Sequence, residues 1–172
     1  MSFESAFTKT IGNEGGYSNN DHDPGNWTSG VVVVGILKGT KYGISAASYP
    51  ALDIANLTLE QAQTIYRNEY WLRYSCDKIV NETLGEKYFD ILVNLQTRAE
   101  ILLQLAVKPY ANIVLDGIVG QVTIDAVNAA PADAVLHDLE VAAGTYYWVL
   151  SHMVNQRFLR FYDGWETRAF KP

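Results

Sequence analysis

The feature that most constrains the fold is a long segment, residues 86–107, in which apolar side chains would cover nearly every side of a helix. A helix that is apolar all round has no face suited to water, so it must be covered on several sides. We therefore expect a single helix at the centre of a bundle, ended by Pro109. Its apolar members are Tyr88, Phe89, Ile91, Leu92, Val93, Leu95, Ile101, Leu102, Leu103 and Leu105.

The first residues also predict a helix. Ser2 is a suitable N-cap residue. Gly15 and Gly16 are expected to end the helix, because glycine tolerates the left-handed conformation at a helix terminus. Between Ser2 and Gly15, a predicted buried stripe with helical spacing contains Phe3, Ala6, Phe7, Thr10 and Ile11.

Two later segments have equally clear helix signals. Thr58 and Gln61 have the spacing of a capping box, which predicts a helix over TLEQAQTIYRNEYWL. The apolar spacing between residues 132 and 161 predicts a long final helix. Together with the central segment, these helices make the predicted fold mainly α.

The segment between residues 17 and 40 is rich in turn-forming residues and is the one place where strands are expected. Val31–Val34 lies between two glycines and is β-branched throughout, which predicts a short strand. Residues 41–44 are a plausible partner across a glycine-containing turn. We therefore expect a small β-hairpin near residues 31–44.

Composition excludes several classes of partner. The formal net charge is −6, and Lys and Arg form no cluster that would neutralise phosphates, so we expect no nucleic-acid binding. The single cysteine, Cys76, cannot form an internal disulfide. No segment reaches the roughly 18 consecutive apolar residues of a membrane-spanning helix. The first residues lack the basic start and apolar run of a signal peptide, so we expect synthesis in the cytoplasm without stable membrane insertion.

Glu14 is the first candidate for chemistry. It lies about two helical turns after Phe7, so it continues the buried stripe of the predicted first helix. Partial burial and the negative end of the helix dipole would both favour the neutral carboxyl, which is what a general acid needs near neutral pH. The alternative is a solvated residue beside a glycine cap.

Asp23 is the second candidate, in a loop that must turn sharply at Pro24 and Gly25. Glycoside hydrolysis uses two groups on opposite sides of the scissile bond, one to protonate the leaving oxygen and one to hold water or attack the sugar. A carboxylate on a loop near the end of a helix can supply the second group. The alternative for Asp23 is a structural turn residue before Pro-Gly.

The block IGNEGGYSNNDHDPGNWT, followed by GTKYGIS, resembles the signature of glycoside hydrolase family 108. That family comprises phage and bacterial N-acetylmuramidases of the lysozyme-like superfamily. LTLEQAQTIYRNEYW resembles the next helix of the family. FDILVNLQTRAEILLQLAV, DGIVGQVT and FYDGWETRAF resemble its C-terminal lobe, which is described as peptidoglycan-binding. The resemblance covers nearly the whole chain in the right order.

The resemblance implies catalytic roles for three residues. Glu14 matches the catalytic glutamate of Glu-Gly-Gly-Tyr, and Asp23 matches the aspartate of Asp-Pro-Gly. Thr40 matches the threonine of Thr-x-x-Gly-Ile, whose hydroxyl could position water. The sequence departs from the commoner pattern because NWTSGVVVVGILKG separates Asp-Pro-Gly from that threonine. Thr28 therefore competes with Thr40 for the role, and Thr40 is preferred because Tyr42, Gly43 and Ile44 follow it.

The resemblance also implies a cleft whose lining binds substrate. The substrate-binding candidates are Tyr17, Trp27, Tyr42, Gly43 and Trp71. Core packing is the alternative for Trp71. The polar Asn94 and the loop residue Asp116 are interpreted as structural, with contact to the substrate as the alternative for each. Trp165 and Arg168 are interpreted as residues that fix the C-terminal segment. The spacing of the three histidines fits no metal site, and we expect neither a metal nor a cofactor.

These patterns predict a mainly α, lysozyme-like fold with a small β-hairpin, formed by two helical lobes with a cleft. Residues 1–85 are expected to form the catalytic lobe and residues 86–172 the C-terminal lobe. We expect an endolysin-like, monomeric enzyme that cleaves the β-1,4 bond between N-acetylmuramic acid and N-acetylglucosamine after release or export from the cytoplasm. The alternatives are a lytic transglycosylase and a non-catalytic wall-binding protein.

Overall fold

A computed structural model describes residues 2–12, 16–154 and 159–170. Over those residues the chain is mainly α-helical, with one two-stranded antiparallel sheet, as the sequence predicts. The chain divides into two compact units, one of Phe7–Asn68 and the other of Met1–Ala6 with Glu69–Pro172. The helices are α1 (Phe3–Ile11), α2 (Leu59–Tyr66), α3 (Glu82–Leu95), α4 (Arg98–Val107), α5 (Gln121–Ala129), α6 (Ala132–Val149) and α7 (Leu159–Phe170).

Helix α1 begins as predicted but ends earlier. The Ser2 Oγ atom accepts a hydrogen bond from the Ser5 amide over 3.2 Å, which caps the start of the helix. The last helical residue is Ile11, and Gly12 follows with a φ of 61°. The prediction that Gly15 and Gly16 end the helix is therefore wrong, because Gly12 already provides the left-handed residue that terminates it.

The unit Phe7–Asn68 contains the sheet. Strand β1 (Thr40–Lys41) pairs with β2 (Ile44–Ser45), with Thr40 opposite Ser45. The two linking residues, Tyr42 and Gly43, both have positive φ, at 52° and 75°, as a two-residue hairpin turn of type I′ requires. The buried apolar residues of this unit include Ile44 of β2, Ile54, Leu57 and Ala62.

The predicted strand at Val31–Val34 is wrong, because these residues form a turn. The Ser29 hydroxyl accepts a hydrogen bond from the Val31 amide and donates one to the Val34 carbonyl, which closes the chain on itself. Val33 has a φ of 66° and is 78% exposed. Local side-chain hydrogen bonds thus replace the strand pairing that β-branching favours.

Helix α2 forms for the predicted reason. The Thr58 hydroxyl accepts from the Gln61 amide, and the Gln61 side chain accepts from the Thr58 amide, so the capping box is complete. The helix continues as a π-helical segment, Arg67–Leu72. Phe7 packs edge-to-face on Tyr66, with ring centroids 5.5 Å apart, which fixes α1 to α2 within this unit.

The larger unit has the predicted apolar centre, but as two helices. The single helix expected over residues 86–107 is broken at Gln96, which has a φ of 51° and separates α3 from α4. Helices α3 and α4 pack against each other, and both pack against α6. The two parts of the apolar segment therefore cover each other, and α6 covers both, as expected for a segment that is apolar on nearly every side.

The predicted final helix over residues 132–161 is likewise two helices. Helix α6 continues through a π-helical turn, Leu150–Val154. Helix α7 packs against α6, so it is a separate element, and it extends beyond the predicted end. Lys87 is buried in α3 and donates hydrogen bonds to the Arg168 and Ala169 carbonyls at the end of α7.

Several residues have the structural roles that the sequence predicted. The side-chain NH₂ group of Asn94 donates to the Asp90 carbonyl over 2.7 Å, and its side-chain oxygen accepts from the Arg168 guanidinium. Trp165 stacks on Tyr147, with ring centroids 5.3 Å apart. These contacts, all within the larger unit, fix α7 to its neighbours.

The loop that carries Asp116 is fastened to α4. Asp116 Oδ1 accepts from the Ile118 amide over 2.9 Å, which makes the predicted turn. The buried Gln104 side chain donates to Asp116 Oδ1 over 2.8 Å and accepts from the Gly117 amide. These hydrogen bonds lower the pKa of the Asp116 carboxyl.

Candidate active site

The Asp23 loop is built by a short 3-10 helix, Pro24–Asn26. Asp23 caps this helix, and its Oδ1 atom accepts a hydrogen bond from the Gly25 amide over 2.9 Å. The carboxylate is exposed, so it keeps further lone pairs for water or substrate. The Ala47 amide donates to the Gly25 carbonyl over 3.0 Å, which holds the loop beside the hairpin.

Asn26 is the buried centre of this region, and sequence reasoning did not single it out. Its side chain is 0% exposed. The Nδ2 atom donates to the Asn20 carbonyl over 2.9 Å, and the Oδ1 atom accepts from the Thr40 hydroxyl over 2.7 Å. Its carbonyl accepts from the amides of Lys38 and Gly39. The only sequence signal was a polar residue directly after Pro-Gly, which is typical of any turn.

Thr40 is oriented by these contacts. Because the Asn26 NH₂ group faces the Asn20 carbonyl, the Asn26 oxygen faces Thr40, and the Thr40 hydroxyl must be the donor. Its backbone is held from the other side, since Ser18 and Thr40 exchange amide-to-carbonyl hydrogen bonds of 2.9 and 2.8 Å. The hydroxyl oxygen is left as an acceptor, which suits it to hold a water molecule by one of the water's protons.

Thr28, the rival for this role, has a different environment. Its Oγ1 atom accepts a hydrogen bond from the Ile36 amide over 2.9 Å, and its own amide donates to the Ile36 carbonyl. These contacts brace the turn of valines. The structure thus brings Thr40, and not Thr28, to the buried Asn26.

Tyr17 lies next to Thr40. Its ring is 43% exposed, and its hydroxyl donates to the Lys38 carbonyl over 3.1 Å. A Cβ atom on Gly39 would come within 2.6 Å of the ring, so the ring lies directly on the backbone that precedes Thr40. An exposed, fixed aromatic ring at this position suits the apolar face of a sugar.

The other predicted cleft residues in this unit mainly shape loops. The Trp27 indole donates to the Asp21 carbonyl over 2.8 Å, and the ring is partly exposed. Tyr42 and Gly43 form the hairpin turn, where the Tyr66 hydroxyl donates to the Tyr42 carbonyl over 3.1 Å. A Cβ on Gly43 would lie 2.5 Å from that hydroxyl, so only glycine fits.

Two lysines on either side of Thr40 tie this region to the loop that follows β2. Lys38 donates to the Pro50 and Leu52 carbonyls, and Lys41 donates to the Ala55 carbonyl. Hydrogen bonds from Asn56 lower the pKa of the nearby Asp53 carboxyl, and both lysines add to the shift. The lysines thus hold the backbone around Thr40 in place.

Trp71, predicted to bind substrate, is instead a core residue. It is 4% exposed, and its ring packs edge-to-face against Phe3 and Phe89, at 5.9 and 5.5 Å between centroids. A ring covered in this way offers no face to a sugar. The alternative of core packing is therefore the correct one.

Glu14, the predicted general acid, lies outside the described residues. Its assignment rests on the Glu-Gly-Gly-Tyr motif. Among the side chains that the structure describes, no three His, Cys, Asp or Glu residues are grouped to hold a metal ion. No helix in those same ranges is long and apolar enough to cross a membrane.

Comparison with known proteins gives three findings. The glycosyl hydrolase 108 family profile matches residues 7–95, and a profile described as a predicted peptidoglycan domain matches residues 97–170. The solved structure of SagA from Brucella abortus superposes with a TM-score of 0.67 over 97% of this chain and 92% of that chain, at 23% identity. That likeness shows a shared fold. A search of curated proteins found no match.

Proposed function

This chain belongs to glycosyl hydrolase family 108, and we propose that it is an N-acetylmuramidase. The family match and the peptidoglycan domain that follows it make the protein a glycoside hydrolase that acts on peptidoglycan. The proposed reaction is hydrolysis of the β-1,4 bond between N-acetylmuramic acid and N-acetylglucosamine. The proposed setting is endolysin-like: a monomer made in the cytoplasm reaches the wall after release or export.

The proposed mechanism assigns one role to each of three residues. The Glu14 carboxyl donates its proton to the glycosidic oxygen as the bond between that oxygen and the anomeric carbon breaks. A water oxygen forms the new bond to that carbon. The Asp23 carboxylate either accepts the proton that the water loses or stabilises the developing positive charge, and in the second case the ionised Glu14 carboxylate accepts that proton. The Thr40 hydroxyl holds the water in place.

The observation that carries this proposal is the hydrogen bond from Thr40 to the buried Asn26. It fixes both the position and the hydrogen-bonding direction of the hydroxyl before any substrate binds. Asn26 also connects Thr40 to Asp23, since the Asn26 amide donates to the Asp23 carbonyl over 3.1 Å. Holding a reacting group in place in advance lowers the barrier, because less freedom is lost at the transition state.

Short-range contacts must supply the affinity for the wall. The net charge of −6 gives no long-range attraction to a wall whose polymers are often anionic. The exposed ring of Tyr17 beside Thr40 is the proposed platform for one sugar. Trp27 and Tyr42, both partly exposed, are proposed to line the same site.

The decisive experiment is digestion of purified cell walls by the wild type and the Glu14→Gln variant, with products read by mass spectrometry. We expect reducing ends from the wild type and a loss of release of at least about 10²-fold in the variant. Glu60→Gln is the matched control, because Glu60 is an exposed glutamate on α2 that the mechanism does not use. Anhydro ends would indicate a lytic transglycosylase, and walls that bind the wild type without release would indicate a non-catalytic protein.

A further inference from the structure

A second surface with binding chemistry lies between α6 and α7, within the larger unit and the segment that matches the peptidoglycan domain. It is a groove of about 270 Å³. That is slightly below the ~300–1,000 Å³ of typical small-molecule sites, so it suits a single sugar ring better than a long segment. The lining residues that matter here are Gly144, Thr145, Trp148, Tyr162, Glu166 and Phe170.

The aromatic wall of the groove is fixed before any ligand arrives. The Trp148 side chain is 44% exposed, yet its indole stacks on the His152 ring, with centroids 5.0 Å apart and planes 15° apart. His152 in turn packs edge-on against Tyr162, at 5.0 Å. A ring that is already immobilised loses little freedom on binding, which favours affinity.

The floor of the groove depends on a glycine. A Cβ atom on Gly144 would lie 2.8 Å from the Phe170 ring, so that ring lies directly against the α6 backbone. Phe170 is itself 50% exposed. The groove therefore has two aromatic surfaces, Trp148 and Phe170, that are supported from behind and open to solvent.

Polar groups lie beside these rings. The Tyr162 hydroxyl donates to Glu166 Oε1 over 3.2 Å, which leaves the other carboxylate oxygen as an acceptor. The exposed Thr145 adds a hydroxyl. Aromatic faces next to hydrogen-bond acceptors match a sugar, which has an apolar face of C–H groups and a rim of hydroxyl donors.

The charge of Glu166 selects among the parts of peptidoglycan. In the wall, an amide bond joins the lactyl carboxyl of N-acetylmuramic acid to a stem peptide, and that peptide carries carboxylates that the Glu166 carboxylate repels. N-acetylglucosamine is neutral. We propose that the groove between α6 and α7 binds an N-acetylglucosamine unit of the glycan strand, as an anchoring site separate from the catalytic one. The inference rests on the proposed function only in that peptidoglycan is the substrate.

Tetra-N-acetylchitotetraose, an uncharged β-1,4-linked tetramer of N-acetylglucosamine, is the test probe. Binding is followed by NMR of the four tryptophan indole N–H signals in the 172-residue chain that carries Glu14→Gln, which should not cleave the probe. We expect the Trp148 signal to shift on titration. Trp148→Ala removes this indole signal, so its Kd is read from the backbone amide signals of Thr145 and Glu166. It should rise by about tenfold, which corresponds to the ~1.4 kcal/mol of a modest stacking contact.

Two further variants sharpen the test. Glu166→Gln keeps the size of the side chain but weakens its acceptor, so we expect a several-fold higher Kd with an unchanged fold. Tyr110→Ala is the matched control, because Tyr110 is an exposed aromatic residue of the same unit that bonds to Asp138 and does not line the groove. It should leave the Kd unchanged.

The outcomes that overturn the inference are distinct from those that overturn the proposed function. A Trp148 signal that does not shift, or a Kd insensitive to both groove variants, removes the sugar site. A dimer in light scattering that Trp148→Ala converts to a monomer would assign the groove to a second copy of the chain. Neither result depends on wall digestion, whereas undiminished digestion by Glu14→Gln would refute the catalytic proposal and leave groove binding measurable.

Discussion

The Thr40 hydroxyl donates a 2.7 Å hydrogen bond to Oδ1 of Asn26, whose side chain is fully buried. The pair consists of one residue that the family motif predicts and one that it does not. Because Asn26 has its own fixed partner in the Asn20 carbonyl, the direction of the bond is set by the fold. Substitutions at Thr40 and Asn26 test what this arrangement contributes.

Thr40→Val should lower kcat for wall hydrolysis by about 10²-fold, because the valine has no oxygen to hold water. Thr40→Ser should retain most of the activity, since it keeps the hydroxyl. Thr28→Val is the control that separates the two threonines. It removes only an acceptor for the Ile36 amide, so kcat should stay within about twofold while unfolding free energy falls by about 0.5–1.5 kcal/mol. The reverse pattern would assign the water to Thr28.

Asn26→Ala should destabilise the protein by about 2–3 kcal/mol, because the Asn20 carbonyl and the Thr40 hydroxyl both lose a buried partner. Denaturant titration measures this change. The control is Asn56→Ala, where an exposed asparagine bonds to Asp53 and the cost should be below about 1 kcal/mol. Equal costs for the two variants would show that Asn26 does not organise the loop.

Gly43→Ala should cost more than Gly117→Ala, although both glycines have positive φ, at 75° and 71°. The shared conformational cost is about 1–2 kcal/mol. At Gly43 the new methyl would also lie 2.5 Å from the Tyr66 hydroxyl, whereas nothing lies within 4 Å at Gly117. Gly43→Ala should therefore have the lower Tm in thermal unfolding, and adding Tyr66→Phe to that variant should recover part of the lost Tm. A tie between the two glycine variants would contradict this account.

The protein should lose stability in alkaline solution through Cys76. Burial raises the pKa of this thiol well above its ordinary value, so the folded state keeps the proton longer than the unfolded state does. The contribution is fully present below about pH 8.5 and declines above it, by at most about 1.4 kcal/mol per pH unit. Burial also raises the pKa of Tyr88 and Tyr147, which extends the loss above about pH 10.

Unfolding free energies of the wild type and Cys76→Ala, measured from pH 7.5 to 9.5, isolate the thiol. The variant will be less stable at pH 7.5, because it leaves a small cavity, but its stability should change less with pH. Parallel curves for the two proteins would show that the thiol is not the titrating group.

Local signals in the sequence predicted local structure well. The Thr58–Gln61 capping box and the Ser2 cap depend on residues within one turn, and both form. The strand prediction at Val31–Val34 was wrong because Ser29 forms hydrogen bonds with Val31 and Val34, and β-branching does not reveal such contacts. The prediction of one continuous helix missed the break at Gln96, because that break depends on how α3 and α4 pack, which is a property of the whole unit.

The candidate site shows the same contrast between residues that a local motif reveals and residues whose role depends on distant parts of the chain. The family motif made Asp23 and Thr40 candidates, because it contains those residue types in that order along the chain. Asn26 was missed because its role depends on residues brought together from both sides of the valine turn. Trp71 was assigned to substrate because an aromatic residue at the end of a helix has the same appearance in sequence whether it faces a ligand or the core.

The division of the chain inside α1 matters for anyone who recombines members of this family. The two profile matches meet near residue 96, which invites a hybrid joined there. That junction would pair α3 of one parent with α4 and α6 of the other. An exchange that respects the packing instead transplants residues 7–68 as a cassette with two junctions, and keeps both chain ends from the same parent.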